Sequence, residues 1–212
     1  MAGRNTSDWL PRVLIESALI VMSILVALGL DEWRENREDA ETVQQALANF
    51  HREIQQNRSR LEYAKPVNEG LLNVLKGRYD DTDLLSVDEF VDMMEIYETV
   101  NLQSTAWETA LATGSLAKMD YNIVSALSLT YSLQNRYQLA TRSGMAELTS
   151  PQNLSSEILS LAIYNTVRYL DDITTLETDL DLTYGEAADV IFSVLTEDDK
   201  SRSLQLQADA GN

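Results

Sequence analysis

Apolar residues fill nearly every position from 13 to 30, and from 31 onward they retreat to every third or fourth position. The first stretch, VLIESALIVMSILVALGL, has Glu16 as its only charge. As a helix its eighteen residues cover ~27 Å, close to the hydrocarbon thickness of a bilayer. Leu, Ile and Val occupy all faces rather than one stripe, which argues against a core helix and for a transmembrane helix over 13–30. Trp9 and Trp33 sit just outside its two ends, where indoles favour the headgroup region. Pro11 suits a first helical turn and Arg12 the membrane edge. Ala27-Leu28-Gly29 also has the small-x-small look of a signal-peptide cleavage site. A retained anchor is the preferred reading, because the apolar run exceeds a usual signal core and a helical pattern follows without a break.

Beyond residue 30 the apolar positions fall at Ala40, Val43, Leu47, Phe50, Ile54, Leu61 and Ala64, with Asn57 in the same seam. Intervals alternating three and four are heptad spacing. The span is therefore expected to continue into a long helix to about Tyr63, where Lys65-Pro66 interrupts it. The 40–64 seam either pairs with a second copy, Asn57 fixing the register, or packs on the protein's own domain; the second is favoured, since the remaining apolar chain needs a core.

The remainder reads as helices separated by short punctuation, with no period-2 strand pattern. One helix is expected over 66–78, followed by the polar loop YDDTD at 79–83. Ser86 with Glu89 forms a capping box that opens a helix to about Thr99, with Phe90, Met93, Met94 and Tyr97 on one side. Thr105 with Glu108 repeats the signal before AWETALATGSL, which Gly114 stops. Asp120 caps a helix to about Arg142. Ser150-Pro151 opens another, with a stripe of Leu154, Ile158, Leu161, Asn165, Tyr169 and Ile173, to about Tyr184. Gly185 bends it or divides it from a helix over 186–195. The fold class is all-α: an N-terminal transmembrane helix continuing into a long helix, then an antiparallel helical bundle. The organisation is a short tail at 1–12, the span at 13–30, a helical-bundle domain at 31–198 and a flexible tail at 199–212.

Composition narrows the function. With 34 acidic against 16 basic residues, the net charge of −18 repels phosphate backbones, and no basic patch reverses it, so nucleic-acid binding is excluded. The chain has no cysteine, hence no thiolate nucleophile. The one histidine, His51, has no second histidine with which to build a zinc site or a relay and reads as a solvated helix residue. Asp179-Leu-Asp181-Leu-Thr183 starts like a calcium loop but lacks the glycine and the bidentate glutamate that such a loop needs. Asp80, Asp81 and Asp83 read as a solvated acidic loop. No catalytic residue, cofactor site or metal site is identified, and the chain does not read as an enzyme.

Two groups of residues remain as candidates. Glu16, Ile20, Ser23 and Ala27 share one face of the span, and small or polar residues on one stripe permit close helix–helix approach in lipid. Glu16 either pairs with Arg12, one turn earlier, at the interface or couples to a proton or a partner. Around Trp107, small residues up to Gly114 let a neighbouring helix come close; with Tyr121 they either pack into the core or line a ligand cleft.

Two stretches carry a resemblance. ESALIVMSILVALGLDEWRENR, residues 16–37, resembles the N-terminal signature of a group of bacterial single-span membrane proteins with a domain of unknown function, in which a glutamate opens the span and a Trp-x-Glu-Asn-Arg-like string follows. STAWETALATGSLAKMD, residues 104–120, with Tyr131 downstream, is similar to the second recurrent block of that group. The resemblance stops near Tyr137. It implies membrane location and bacterial origin and supplies no catalytic residue. Arg4, Arg12 and the α-amine before the span, against Arg34 and Arg37 after it, favour the N-terminus inside and the domain outside, in a bacterial inner membrane. The function expected is a single-pass interaction or scaffold module whose partners are the bilayer and either itself or another membrane protein, met through the span and the 40–64 seam. The alternative is an extracytoplasmic ligand-sensing bundle, similar in outline to those of chemoreceptors, coupled to a partner through the span.

Overall fold

The structure, a computed structural model, describes residues 9–79, 85–148, 158–201 and 204. Among them the chain is helical and has no strand: α1 (Trp9–Tyr79), α2 (Val87–Met94), α3 (Thr105–Thr113), a 3-10 turn (Ser115–Lys118), α4 (Tyr121–Leu148) and α5 (Leu159–Val194). Two compact units divide the chain, residues 1–43 and 44–212.

The first unit contains the apolar part of α1. Residues 13–30 are exposed throughout. The turns that follow are held by one-turn ion pairs, Arg34 to Glu38 at 3.4 Å and Arg37 to Glu41 at 3.2 Å.

In the second unit, side-chain contacts set the direction of each leg. Asn57 meets Gln134 and Glu53 meets Tyr131, so α1 and α4 run parallel. Tyr137 meets Glu177 and Tyr184 meets Gln134, while Arg58 meets Asp181 and Lys76 meets Asp171; α5 is therefore antiparallel to both. Two parallel neighbours need a return leg between them. The chain supplies it with α2, an irregular strap over residues 97–104, and α3. Contacts of Glu98 with Asn68, Gln103 with Asn57 and Ala106 with Glu53 run this leg antiparallel beside α1. The result is an antiparallel bundle with one broken leg.

The seam packs inward from Leu47. Phe50, Ile54, Asn57, Leu61 and Ala64 are buried, whereas Ala40 is exposed. Between positions 47 and 64 it serves the protein's own core. The expected interruption at Lys65-Pro66 does not occur, and α1 runs through Pro66 to Tyr79. Pro66 lies on the exposed face of α1, where the carbonyl left without its N–H partner is open to solvent rather than sealed in the core. Buried Leu61, Ala64, Asn68, Leu71 and Leu75 anchor the helix on both sides of it. Gly185 likewise leaves α5 undivided.

Other expectations shift. The capping box at Ser86 and Glu89 is present, with both reciprocal bonds, but α2 stops at Met94 rather than near Thr99. Asn68 holds the backbone of Glu98, which a continuing helix would need for itself. At α3 the N-cap is Ser104 without a capping bond; Glu53 of α1 takes the Ala106 N–H instead of a local box at Thr105 and Glu108. Gly114 ends α3 at φ 70°, a left-handed conformation that suits glycine. Asp120 accepts from the Asn122 N–H at 2.8 Å, and α4 runs on to Leu148. On α5 the expected stripe is rotated: Leu161 and Asn165 are exposed, while Leu159, Ala162, Ile163 and Thr166 face the core. The expected tail from 199 begins within a helical turn over 197–201, to which the Thr196 hydroxyl contributes a cap on the Asp199 N–H. Asp80, Asp81, Asp83, the Ser150-Pro151 start and Leu154 lie outside the described residues.

One glycine is fixed by tertiary packing. A Cβ on Gly144 of α4 would stand 2.0 Å from Cε2 of Tyr169, whose ring crosses that spot. The Tyr169 hydroxyl is held at Tyr97 (3.2 Å) and at the Thr141 carbonyl (3.4 Å), so the ring cannot simply swing aside. Gly144→Ala is expected to lower stability by about 1–3 kcal/mol through overpacking, against a helix-propensity gain of about 1 kcal/mol. Gly70→Ala and Gly77→Ala on α1, where nothing lies within 4 Å, are expected to raise it. Thermal melts of the three variants give the signs.

Candidate functional site

The span face is laid out as the spacing requires. Glu16, Ile20, Ser23 and Ala27 follow one another at intervals of four, three and four on α1, and all are exposed. The Ser23 hydroxyl donates to the Ile20 carbonyl at 2.7 Å, so it is already used within its own helix. Trp33 is exposed, with the Arg37 guanidinium 5.9 Å from the ring centroid. Trp9 and Arg12 belong to α1, but their side chains lie outside the described residues.

The second unit is organised by side-chain amides on α1. Asn57 accepts from the Gln103 N–H at 2.8 Å and donates to the Gln103 carbonyl at 2.7 Å. Asn68 does the same for Glu98, at 3.0 and 3.1 Å. Gln44 repeats the pattern at the end of α5, accepting from Thr196 N–H and donating to the Val194 carbonyl, both at 3.1 Å. Each amide offers one acceptor and one donor in a plane, the complement of a peptide's own N–H and C=O. Asn57 and Asn68 are eleven residues apart on a helix, ~16 Å. Glu98 and Gln103 are five residues apart, and an extended chain covers ~16 Å in five steps. A stretched strap laid along a helix thus meets both amides in register. Arg60 and Gln138 take the carbonyls of Asn101 and Leu102.

The second N–H of each asparagine reaches into the bundle. Asn57 donates to Gln134 Oε1 at 3.2 Å, which also accepts from the Tyr184 hydroxyl at 2.6 Å. Asn68 donates to Glu177 Oε1 at 2.8 Å, which also accepts from Tyr137 at 3.1 Å. Two buried glutamates differ sharply. Glu53 is satisfied on both oxygens, by Tyr131 at 2.7 Å and by the Ala106 N–H at 2.9 Å. Glu177 is 0 % exposed, and its Oε2 has no hydrogen-bond partner among the described residues. Burial pushes the Glu177 carboxyl up to about 7, against the pull of its Asn68 and Tyr137 hydrogen bonds. The Tyr97, Tyr131, Tyr137 and Tyr184 phenols are all pushed up by burial and stay protonated. Enclosed in this way, the two carboxyls hold hydrogen bonds within the bundle and are not presented to a substrate.

Of the residues around Trp107, the structure shows where each one sits. The Trp107 indole stacks on Tyr131 with centroids 5.4 Å apart and lies 6.4 Å from Phe50, as a packing residue would. Gly114 ends α3, and Tyr121 starts α4 with 81 % of its surface exposed. The two described pockets are lined elsewhere. One of about 230 Å³ lies by Gly144, Ala162 and Tyr169, and a groove of about 610 Å³ lies between α1 and the strap. His51 is not solvated as expected: it is 4 % exposed, its ring 5.6 Å from Phe192, and burial lowers its pKa. The buried face of α1 is wider than the apolar seam, because Phe192 of α5 covers the position after Phe50. Among the described residues no group of three or more His, Cys, Asp or Glu is placed to hold a metal ion.

The class this fold defines is an all-α bundle with one apolar helix long and greasy enough to cross a membrane near the N-terminus. Comparison with protein-family models, with curated proteins and with solved structures found no match.

Asn68→Ala strips Glu98 of its N–H and C=O partners together, and Asn57→Ala strips Gln103 of its N–H partner and of one of the two donors to its carbonyl, Gln134 being the other. Each is expected to cost roughly 1–3 kcal/mol and to open residues 97–104 to proteolysis. Asn49→Ala, on the exposed face of α1, is expected to change neither. Denaturant midpoints and limited proteolysis read both effects.

Proposed function

We propose that the protein is a non-catalytic, single-pass membrane protein whose helical domain acts as an interaction or scaffold module. One observation carries this reading: residues 13–30 of α1 are apolar on every face and wholly exposed, so the covering they require is lipid or another apolar helix. The resemblance of residues 16–37 to bacterial single-span proteins points the same way. We assign the anchor to a bacterial inner membrane, N-terminus inside, following the positive residues around the span. The partner surface in lipid is the face of Ile20, Ser23 and Ala27, with Glu16 at its edge, where limited bulk lets backbones approach.

A second reading, ligand sensing by the bundle, draws on the groove beside the strap, which Arg60, Tyr63, Glu98 and Asn101 line. It differs from the first in its requirement: a small molecule must protect the strap, whereas a scaffold needs none.

The mature protein is expected to stay with membranes through carbonate extraction, and release into the supernatant would contradict the anchor. Within the span, Ala27→Leu is expected to reduce the complexes captured by crosslinking in native membranes, because added bulk blocks close approach. Val26→Leu is expected to leave them unchanged, and Glu16→Gln to act weakly. Negligible effects from all three substitutions would remove the span as the meeting surface.

A further inference from the structure

We propose that Glu177 is a proton-controlled latch on the strap: while it holds its proton the Tyr97–Glu98 end of the return leg stays closed on the bundle, and loss of that proton favours opening of that end.

The geometry carries the argument. Glu177 is fully buried on α5, and Oε1 alone collects both of its hydrogen bonds, from Asn68 and Tyr137. Oε2 has no partner among the described residues. A neutral carboxyl tolerates that place. An ionised one spreads charge onto an oxygen that nothing solvates, which is costly in a buried site. The charged and titratable groups that face it do not offset this cost. Lys65 on α1 favours the ion and Glu69, on the same helix, opposes it. Tyr97 from the strap, Tyr137 from α4 and Tyr169 from α5 stay protonated. Water is the remaining solvent for the ion, so one wall must open.

Three of the surrounding walls are long helices, α1, α4 and α5, whose backbones are bonded internally along their length. The fourth is the strap, which begins at Tyr97 and has no regular secondary structure. It is held near Glu177 by the amide of Asn68, whose second N–H is the one that binds Glu177. Opening the strap is the local unfolding that exposes least, and therefore the one by which the site relaxes. In the open form the carboxyl meets water and returns toward its ordinary value of 4.5, while in the closed form it keeps its proton up to about 7. Closure is thus fully favoured below 4.5, loses ground as pH rises, and levels off above 7. Gln103, clasped by Asn57 and Gln134 rather than by Glu177, lies outside this coupling.

The test is amide hydrogen exchange of the full-length protein in nanodiscs, corrected for the intrinsic base-catalysed rate. Between pH 6 and pH 8 the opening constant at the Glu98 amide is expected to rise roughly tenfold. The Gln103 amide is expected to change much less, and Glu177→Gln, which keeps the shape without the charge, to abolish the rise at Glu98. A rise that persists in Glu177→Gln, or no rise in the wild type, overturns the latch. Carbon-13 NMR of the Glu177 carboxyl in the wild-type protein gives an independent reading. Titration near neutrality supports the proposal, and titration in the ordinary carboxylate range overturns it.

Discussion

The bundle depends on two side-chain amides gripping a peptide. Since α1 and α4 run parallel, the chain must travel back along α1 before α4 can begin, and it does so partly as an irregular strap that cannot satisfy its own backbone. Asn57 and Asn68 supply a donor and an acceptor each to Gln103 and Glu98, in a register set by the rise of a helix and of an extended chain. Loss of that grip would leave strap peptide groups without their protein partners, at a cost of about 1–3 kcal/mol for each one kept from water, in a domain of ordinary marginal stability.

The same asparagines link the return leg to the core. Through Gln134 and Tyr184 on one side and Glu177 and Tyr137 on the other, the polar groups of α1, α4 and α5 form two hydrogen-bonded clusters inside the bundle. Such networks fix which faces meet, because any slip leaves a buried donor or acceptor unpaired. Glu177 Oε2 and the Thr166 hydroxyl are where this satisfaction stops among the described residues, and burial pushes the Glu177 carboxyl up to about 7.

Much of this architecture was legible in the order of residues. The apolar run at 13–30, the inward seam from Leu47 to Ala64, the capping box at Ser86, the stop at Gly114 and the cap at Asp120 are local signals, and each lies where its chemistry put it. The errors came where a distant partner overrode a local rule. Pro66 marks a break by its own chemistry, but the buried turns on either side keep α1 whole. The stripe on α5 was misplaced because Ala162 and Thr166 are neutral in a hydrophobic pattern, while Leu161 stands out and yet faces solvent. The helix opened at Ser86 is expected to reach about Thr99, but α2 ends at Met94 and Asn68 claims the Glu98 backbone. The candidate site was the least legible part. Asn57 was visible as a polar residue in an apolar seam, which is a signal for a buried amide, but its partner is 46 residues away. Nothing in the neighbours of Glu177 distinguishes it from the many solvated acids of an acidic chain.

Residue-resolved amide exchange across 97–104, at a single pH, tests the grip itself. A strap without secondary structure would ordinarily exchange like open chain. The two-amide account predicts strong protection at the Glu98 and Gln103 N–H groups, abolished at Glu98 by Asn68→Ala and at Gln103 by Asn57→Ala. Exchange of both amides at open-chain rates in the wild-type protein would contradict it.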